Sequence, residues 1–437
     1  MKPTSTPPEP ANELAIPAAA ALPIDAAIDP AGRLSVGGCD LGAIAAEFGT
    51  PAYVYSEADL RARARAYREA FELSGDAEVL YASKAAPITA VCALFADEGL
   101  SVDVASAGEL AHALAGGFDP ARIYMHGNNK SAAELRAGLD AGIGCFVCDS
   151  LDEIALLDSL CERDQEVLIR VTPGIHADTH SYVQTGQEDS KFGLGLNDGT
   201  AAAGIEAIRG SRHLRLIGLH SHIGSQIFDL EPYAKAIAAL ASLADEELRV
   251  LNVGGGVGVA YVPGDEPPRI AEFARRVIDA VRDSFPGSPR ILVEPGRSLV
   301  ANAGLTVYEV GTVKQIEGVR RWIAVDGGMS DNLRPMLYDS PYTALIADRA
   351  ATDGDTLVTV AGKHCESGDV LMSDVSLPAP RPGDLLVTPA TGAYGHAMAS
   401  NYNAIPRPPV IFCADGEARV VVRRETEADL LARDAGR

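Results

Sequence analysis

The chain has 437 residues, 47% of them hydrophobic and 22% charged, with a formal net charge of −23 at pH 7. This length predicts two domains, and the strong negative charge argues against nucleic acid or an anionic membrane surface as a partner. No stretch approaches the roughly 20 apolar residues of a membrane-spanning helix.

The N-terminal part of the chain has two segments. Residues 1–22 are rich in Pro and Ala, and their short apolar run contains Pro17 and has no basic flank. This composition predicts a disordered tail rather than a signal peptide. Residues 23–50 contain one candidate strand, "GRLSVGG", which we expect to join a β domain.

The middle of the chain alternates short apolar runs with helical patterns. The eight runs that predict strands occupy residues 79–85, 100–106, 123–129, 145–150, 167–173, 214–224, 248–256 and 291–298. Ser131 and Ser150 are placed as N-caps of two intervening helices. This alternation predicts a (β/α)8 barrel over residues 51–300, with a doubly wound parallel sheet as the alternative.

The last part of the chain has a different pattern. Short alternating runs broken by Gly, Pro and Asp predict an all-β second domain over residues 301–437. Residues 173–198 form a long polar connection after the fifth predicted strand, which indicates a loop of the functional site. The seven cysteines are odd in number and scattered, and Cys145 and Cys148 lie in an apolar run. This favours reduced core thiols in a cytoplasmic protein over a metal or redox site.

Reactive residue types fall where the predicted barrel strands end. The residues at these positions that could carry chemistry are Lys84, Ser106, His126, Asn128, Arg170, His222 and Glu294. Active sites of (β/α)8 barrels lie at the carboxyl ends of the strands. We therefore expect an active site at this end of the barrel.

Lys84, in "LYASKAAP", ends the first predicted barrel strand. A lysine there either extends its ammonium to water or is desolvated and attacks an aldehyde to form a Schiff base. Pyridoxal phosphate (PLP) is the common aldehyde cofactor, and its phosphate needs a cradle. The candidates for that cradle are Gly254, Gly255, Gly256 and Ser225. A glycine run also suits a tight turn.

Glu294, in "ILVEPGRS", is a carboxylate at the end of a buried strand, which is costly unless it is paired. Its partner is either Arg297 or the pyridine nitrogen of the cofactor, which a carboxylate keeps protonated. His220 and His222 are predicted to point to one face of a strand, where one imidazole could stack on the cofactor ring. His126 could add a third ligand to a metal site, but no strong ligand set emerges and no metal is expected.

The segment "GKHCESGD", residues 362–369, is a polar loop of the second domain. Cys365 beside Glu366 suits proton transfer next to a carboxylate that recognises substrate. An exposed turn is the alternative interpretation of Cys365, Glu366 and Asp369.

The chain resembles the diaminopimelate decarboxylases, a family of PLP-dependent fold-type III, alanine-racemase-like decarboxylases. The resemblance covers residues 50 to 425 or thereabouts. It rests on segments that occur in the same order in that family: "YASKA", "ASAGEL", "HGNNK", "HSHIGSQ", "GGGVGVAY", "EPGRS", "DGGMSDNLRP", "CESGD" and "TGAY".

The resemblance implies a PLP-binding barrel with a β domain and a role for each matching residue. Lys84 would hold PLP, His222 would stack on its ring and Glu294 would bind its nitrogen. The residues implied to contact the phosphate are Ser225, Gly254, Gly255, Gly256 and Tyr394. The residues implied to bind substrate are Arg297, Arg334, Tyr338, Glu366 and Tyr394. Cys365 would return a proton after carbon dioxide leaves. The family implies a homodimer in which Cys365 and Glu366 reach the partner subunit's active site.

The implied reaction converts meso-2,6-diaminoheptanedioate to L-lysine and carbon dioxide, the last step of lysine biosynthesis. Related decarboxylases of arginine, ornithine or carboxynorspermidine are the enzyme alternative, but those substrates lack the second carboxylate that Arg297 and Arg334 would bind. An alanine racemase sets an arginine, not a glutamate, against the ring nitrogen. A non-catalytic PLP-binding protein would not need the domain that carries "CESGD".

Overall fold

The computed structural model describes residues 13–175 and 190–436. These residues fall into two compact units, each of which is described by itself. The barrel unit comprises the described residues of Arg63–Gly258 and Pro267–Ser298. The sheet unit comprises those of Pro10–Ala62, Val259–Glu266 and Leu299–Arg437. No helix among the described residues is long and apolar enough to cross a membrane.

The N-terminal elements are short. Their bounds are β1 (Ala27–Ile28), β2 (Leu34–Val36), β3 (Cys39–Asp40), α1 (Leu41–Phe48), β4 (Ala52–Ser56) and α2 (Glu57–Phe71). Before them, Ala19–Ala21 form a 3-10 turn and Leu22 is buried in the core of the sheet unit. The end of the expected disordered tail is therefore packed, because its apolar side chains have a core to contact. Residues 1–12 lie outside the described residues.

The barrel unit alternates strands and helices. Its elements are β5 (Ala77–Ala82), α3 (Thr89–Asp97), β6 (Ser101–Val104), α4 (Ala107–Ala115), β7 (Ile123–Met125), α5 (Ala132–Ala141), β8 (Cys145–Cys148), α6 (Leu151–Leu160), β9 (Gln165–Thr172), β10 (Leu194–Gly195), α7 (Thr200–Arg209), β11 (Leu214–His220), α8 (Glu231–Leu240), β12 (Val250–Asn252), α9 (Ile270–Ser284) and β13 (Arg290–Val293). Among the described residues, β10 pairs with β9 alone. It lies at the end of the long loop, and residues 176–189 of that loop lie outside the described residues.

The eight strands other than β10, namely β5 to β9 and β11 to β13, form a closed parallel ring. β5 pairs with β6 on one side and with β13 on the other, and β8 pairs with β9. Each predicted run overlaps one of these strands, which confirms the (β/α)8 barrel. A buried apolar cluster contributed by seven strands fills its interior: Leu80, Tyr124, Cys145, Val147, Leu168, Ile217, Val250 and Leu292.

The sheet unit is built mainly from the C-terminal part of the chain. Its further elements are α10 (Arg297–Val300), β14 (Gly304–Ile316), β15 (Arg320–Val325), α11 (Arg334–Tyr338), β16 (Leu345–Ile346), β17 (Thr356–Ala361), β18 (Val370–Leu377), β19 (Leu385–Pro389), β20 (Val410–Ala414), β21 (Glu417–Val422) and α12 (Glu427–Leu431). The first of these helices joins the two units. The strands form a mixed sheet in the order β18-β17-β15-β14-β4-β20-β21, which confirms a second, β-rich domain.

The N-terminal strand β4 lies inside this second sheet. It pairs with β14 on one side and with β20 on the other, and all five of its residues are buried. Residues 51–62 therefore pack with the sheet unit, although they were predicted to belong to the barrel. Val54 shares a buried core with Leu305 and Ile411, which come from distant parts of the chain.

Candidate active site

Four polar side chains meet at the carboxyl ends of neighbouring barrel strands. His126 follows β7 and Glu294 follows β13, while His220 and Asn252 are the last residues of β11 and β12. All four residues are buried. Parallel barrel strands end at one rim, so residues far apart in sequence are brought together there.

Glu294 accepts hydrogen bonds at both carboxylate oxygens. Oε1 accepts from Asn252 Nδ2 at 2.7 Å and lies 2.8 Å from His126 Nε2, while Oε2 lies 3.2 Å from His220 Nε2. Burial raises the pKa of Glu294, but the two imidazoles outweigh it and hold that pKa well below its usual range. Burial lowers the pKa of His220 to about 4 and also lowers the pKa of His126. The carboxylate of Glu294 is thus held as an anion by three donors.

His126, His220 and Glu294 also have the geometry of a partial metal site. Their potential ligand atoms all lie within 4.8 Å of one another. This set differs from the His220–His222 pair suggested by the sequence. Each carboxylate oxygen already has a hydrogen-bond donor. The cluster is therefore explained as a set of donors that hold the Glu294 carboxylate.

Arg297 is not the partner of Glu294. Its Nη2 donates to Ser225 Oγ at 2.8 Å, and the residue is buried. The chain turns after β13 and α10 begins at Arg297, so the guanidinium is directed to the loop after β11. Three residues of separation suggested a local ion pair, but the structure places Arg297 with a residue that was predicted to bind phosphate.

His222 lies beyond β11, which ends at His220. The prediction placed both imidazoles on the strand, and the structure places His222 in the loop that follows it. His222 Nδ1 accepts a hydrogen bond from the backbone N–H of Gly255 at 3.2 Å. Burial, reinforced by the positive charge of Lys84, lowers the pKa of His222 well below its usual value. A neutral imidazole is thus held beside the glycine run.

The run Gly254–Gly256 passes close to both neighbouring strand ends. A Cβ on Gly255 would collide with the carbonyl oxygen of Glu294, and a Cβ on Gly256 would collide with that of Gly224, the residue before Ser225. Gly254 has a φ of +70°, which side-chain-bearing residues rarely adopt. Only glycine fits this path, which joins Glu294, His222 and the loop that carries Ser225.

Lys84 lies in a 3-10 turn, Ser83–Ala85, directly after β5. Its side chain is exposed, which agrees with the first of the two alternatives for this lysine, because the strand ends at Ala82 and the turn carries the ammonium beyond the core. Ser83 Oγ and the N–H of Ala105 both donate to Glu109 Oε2 at 2.8 Å, which fixes the turn. Sequence reasoning gave Glu109 no role, although "ASAGEL" contains it.

Asp103, in β6, is a second residue that sequence reasoning missed. Its side chain is buried, and burial together with the charge of Glu294 raises its pKa well above the usual range, although Lys84 opposes this shift. A lone acid in the apolar run at residues 100–106 was the available signal. A neutral carboxyl at this position leaves the negative charge of the rim on Glu294.

In the sheet unit, Arg334 begins α11 and is buried. Its Nη1 donates to the Tyr342 hydroxyl at 2.6 Å and its Nη2 to Ser340 Oγ at 3.1 Å, while the guanidinium lies 4.5 Å from the centre of the Tyr261 ring. Within residues 13–175 and 190–436, no Asp or Glu side chain lies within 4.0 Å of it. A buried cation held only by neutral groups is suited to bind a carboxylate ligand.

The loop between β17 and β18 carries Cys365 and Glu366, and both are exposed. The other six cysteines of the chain, including Cys145 and Cys148, are buried. The N–H of Cys365 donates to Asn403 Oδ1 at 2.8 Å, and the Tyr402 hydroxyl lies 3.4 Å from Glu366 Oε2. Asp369 of the same loop is buried, so the exposed-turn interpretation fails for that residue.

Two tyrosines complete the predicted set, and both are partly buried. Tyr338 is the last residue of α11, which begins at Arg334. Tyr394 has a φ of +62°, a strained conformation for a residue with a side chain. Such strain tends to occur at functional positions.

The rim of the barrel unit therefore offers what a pyridoxal phosphate site needs. It has a primary amine, an anionic carboxylate held by three donors, and a glycine run linked to a hydroxyl and a guanidinium. These groups lie on loops after different strands, as in enzymes built on this fold. The remaining candidates are in the sheet unit: Arg334, Tyr338, Cys365, Glu366 and Tyr394.

Comparison with known proteins agrees with this chemistry. Residues 57–301 match the family model described as pyridoxal-dependent decarboxylase, pyridoxal binding domain. A diaminopimelate decarboxylase of Bacillus subtilis is 48% identical over 92% of this chain and 95% of its own length. A crystal structure of diaminopimelate decarboxylase from M. jannaschii in co-complex with L-lysine is 32% identical, with a TM-score of 0.88, and the match covers 94% of this chain and 98% of that one.

A solved structure of a related decarboxylase is less similar to this chain. The lysine/ornithine decarboxylase of Vibrio vulnificus complexed with putrescine is 25% identical, with a TM-score of 0.74, over 86% of this chain and 97% of that one. The chain is thus more similar in sequence to the two diaminopimelate decarboxylases, and its fold is more similar to that of the M. jannaschii enzyme. The chain belongs to the diaminopimelate decarboxylase family of pyridoxal-dependent decarboxylases.

Proposed function

We propose that this protein removes the carboxylate at the D-centre of meso-2,6-diaminoheptanedioate and releases L-lysine and carbon dioxide, the last step of lysine biosynthesis. The 48% identity to the B. subtilis relative supports this reaction. The M. jannaschii relative has been crystallised with L-lysine, the product of the proposed reaction.

The cofactor of the family is pyridoxal phosphate, and the residues of the barrel rim fit it. Lys84 would hold its aldehyde, and His222 would lie against its ring. The cradle for its phosphate would be formed by Ser225, Gly254, Gly255 and Gly256, with Tyr394 as a further contact. Arg297 already donates to Ser225, so it would add positive charge to this cradle as well as serving the substrate carboxylate. When bound, the cofactor supplies an electron sink that stabilises a developing carbanion.

The observation that carries the proposal is the placement of the Glu294 carboxylate, which is buried at the strand ends and bonded to Asn252 and His220. Its low pKa makes it an anion at neutral pH, in a buried position where it can hold a pyridine nitrogen in the protonated form. A protonated ring draws electrons more strongly than a neutral one, as decarboxylation requires.

Arg334 distinguishes the proposed substrate from simpler basic amino acids. Diaminoheptanedioate carries a carboxylate at each end, and the end that does not react needs a cationic partner. Arg334 is a buried guanidinium with neutral contacts only among the described residues, and its fork matches a carboxylate. Tyr338 and Tyr394 would add hydroxyl contacts, and Glu366 would take the distal ammonium.

Cys365 would donate the proton that replaces carbon dioxide. The bond between the α-carbon and its carboxylate breaks, the thiol proton is transferred to that carbon, and the thiolate regains a proton from water. The exposure of Cys365 in its loop supports a role towards another molecule. We also propose a cytoplasmic homodimer in which Cys365 and Glu366 serve the partner subunit's active site, as the family resemblance implies.

Mixing two inactive variants tests the shared site. Lys84→Ala and Cys365→Ala subunits, once exchanged, would form heterodimers with one doubly defective site and one intact site. We expect mixing to restore activity in proportion to the heterodimer fraction measured by native mass spectrometry. Heterodimers without activity would place Lys84 and Cys365 in the same subunit's site.

A panel of amino acids tests the function itself. The PLP-loaded enzyme should release carbon dioxide from meso-diaminoheptanedioate with a kcat/KM at least about 10²-fold above that for lysine, ornithine or arginine, because those acids leave Arg334 without a carboxylate. Faster release from arginine or ornithine would favour the alternative decarboxylases. Release from none of them would contradict a decarboxylase of this class.

A further inference from the structure

His364 immediately precedes Cys365, and neither sequence nor comparison gives it a role. Its imidazole is buried at the base of the loop, and its Nδ1 lies 2.7 Å from Asp369 Oδ2. The two side chains are 0% and 1% exposed, so water does not compete for this contact. A hydrogen bond to a carboxylate in such a position is strong and directional.

The carboxylate of Asp369 joins the loop to the segment that contains Met329. Oδ1 accepts from the N–H of Met329 at 2.7 Å, and Oδ2 accepts from the N–H of His364 at 2.9 Å in addition to the imidazole. Because the carboxylate is an acceptor, Nδ1 of His364 carries the hydrogen. A Cβ on Gly362 would collide with the same carboxylate, so the base of the loop is closely packed.

The imidazole also contacts the ring of Tyr402. The two rings are stacked, with centroids 5.7 Å apart and planes inclined by 3°. The Tyr402 hydroxyl lies 3.4 Å from Glu366 Oε2, and the adjacent residue Asn403 accepts the N–H of Cys365 at 2.8 Å. The imidazole therefore lies between the Asp369 anchor and the segment that contacts both exposed residues of the loop.

We propose that His364 is a positioning residue that sets the placement of the Cys365 thiol for the reaction. This inference rests on the proposed role of Cys365 as proton donor. His364 acts through two separate contacts, the bond from Nδ1 to Asp369 and the stack on Tyr402. Displacing a reacting group by about 1 Å can lower a rate by on the order of 10²-fold, so loss of either contact should slow turnover.

Two substitutions separate the contacts. His364→Asn keeps a donor near the position of Nδ1 but removes the ring, and His364→Phe keeps the ring but removes the donor. In both variants we expect kcat for meso-diaminoheptanedioate to fall by about 10- to 100-fold, with KM changed by less than about threefold. The neighbouring exposed residue provides the control, because Lys363→Ala should leave both constants near the wild-type values.

Coupling to Cys365 distinguishes positioning from a merely structural role. If His364 acts through the thiol, adding His364→Phe to Cys365→Ala should lower kcat by less than about twofold more. Losses that multiply in the double variant, or kcat values of both single variants within about twofold of wild type, would overturn the inference.

Two control measurements distinguish misfolding, or a failed role of Cys365, from a failed role of His364. Melting curves of the PLP-loaded enzymes identify a variant that fails to fold, in which case the other substitution decides. If Cys365→Ala retains wild-type kcat while the enzyme still decarboxylates the substrate, the role of Cys365 fails and the role of His364 fails with it. If Cys365→Ala is impaired and both His364 variants are not, only the inference about His364 is overturned.

Discussion

Glu294 Oε1 lies 2.8 Å from Nε2 of His126, although the two residues are 168 positions apart in the sequence, because their strands end at the same rim. The imidazole helps to hold the pKa of Glu294 well below its usual range. The carboxylate keeps its charge, and that charge is what the proposed chemistry uses.

Replacing Glu294 by glutamine removes the charge and retains the shape. Glu294→Gln should keep part of the bound PLP but lower kcat by on the order of 10²-fold or more, because an amide stabilises a pyridinium poorly. Absorbance of the bound cofactor and steady-state rates measure the two effects. The exposed residue Glu317 offers a control in Glu317→Gln. A kcat within about twofold of wild type would show that Glu294 does not sustain the electron sink.

Lys84 should carry the cofactor. Borohydride reduction of the PLP-loaded protein, followed by digestion and mass spectrometry, should place the pyridoxyl group on Lys84. Lys130 is the natural comparison, because it is buried and its ammonium already contacts Glu153 at 2.8 Å and the carbonyl of Gly127 at 2.7 Å. Lys130 should remain unmodified. An adduct on Lys130 or on any other lysine would refute the assignment.

Arg334 should govern substrate choice rather than cofactor binding. Arg334→Ala leaves a substrate carboxylate without its partner, which costs ~2–5 kcal/mol and therefore lowers kcat/KM by more than about 10-fold. Arg334→Lys should recover only part of this loss, because an ammonium cannot form two parallel bonds. The affinity for PLP should be unchanged in both variants. Equal losses with the exposed-residue control Arg320→Ala would argue against a specific contact.

Asp331 should make stability depend on pH. Its buried carboxyl accepts from the Tyr308 hydroxyl at 2.5 Å and from the N–H of Gly328 at 2.8 Å, and burial raises its pKa to about 7. The folded state therefore binds the proton more tightly than the unfolded state. The stability from this group is fully present below about pH 4 and is lost as the pH rises towards 7.

Urea unfolding of wild type and Asp331→Asn measures that effect. The measurements run from about pH 4.5 to about pH 8, which spans this titration. The wild type should lose more of its free energy of unfolding with rising pH than the variant does. Asp353→Asn, at an exposed position, should behave as wild type. Parallel pH profiles for wild type and Asp331→Asn would show that Asp331 is not the group responsible.

The sequence predicted what depends on local pattern. Alternating apolar runs predicted the barrel, and Ser131 and Ser150 indeed cap helices by accepting from the N–H groups of Glu134 and Glu153. Both interactions span three residues, so the local sequence contains the information. The exact point where a strand ends is set by tertiary contacts, which is why His222 was predicted to lie in the strand that ends at His220.

The partners of buried charges could not be predicted in the same way. Arg297 was the near neighbour of Glu294 in sequence, but the donors of Glu294 come from three other strand ends, and Arg297 contacts Ser225, 72 residues away. Likewise, β4 was assigned to the barrel because nothing local indicates that it pairs with β14 and β20. The placement of His364 against Tyr402 is another long-range contact without a sequence pattern.

The most direct test of the central claim is to run the reaction in D2O and identify the product. The wild-type, PLP-loaded enzyme should convert meso-diaminoheptanedioate to one equivalent of carbon dioxide and one of lysine. Mass spectrometry and chiral chromatography should find L-lysine with a single non-exchangeable deuterium on the ε-carbon, where a solvent-derived proton replaces the carboxylate. D-lysine, lysine without the deuterium, or no carbon dioxide would contradict decarboxylation at the D-centre.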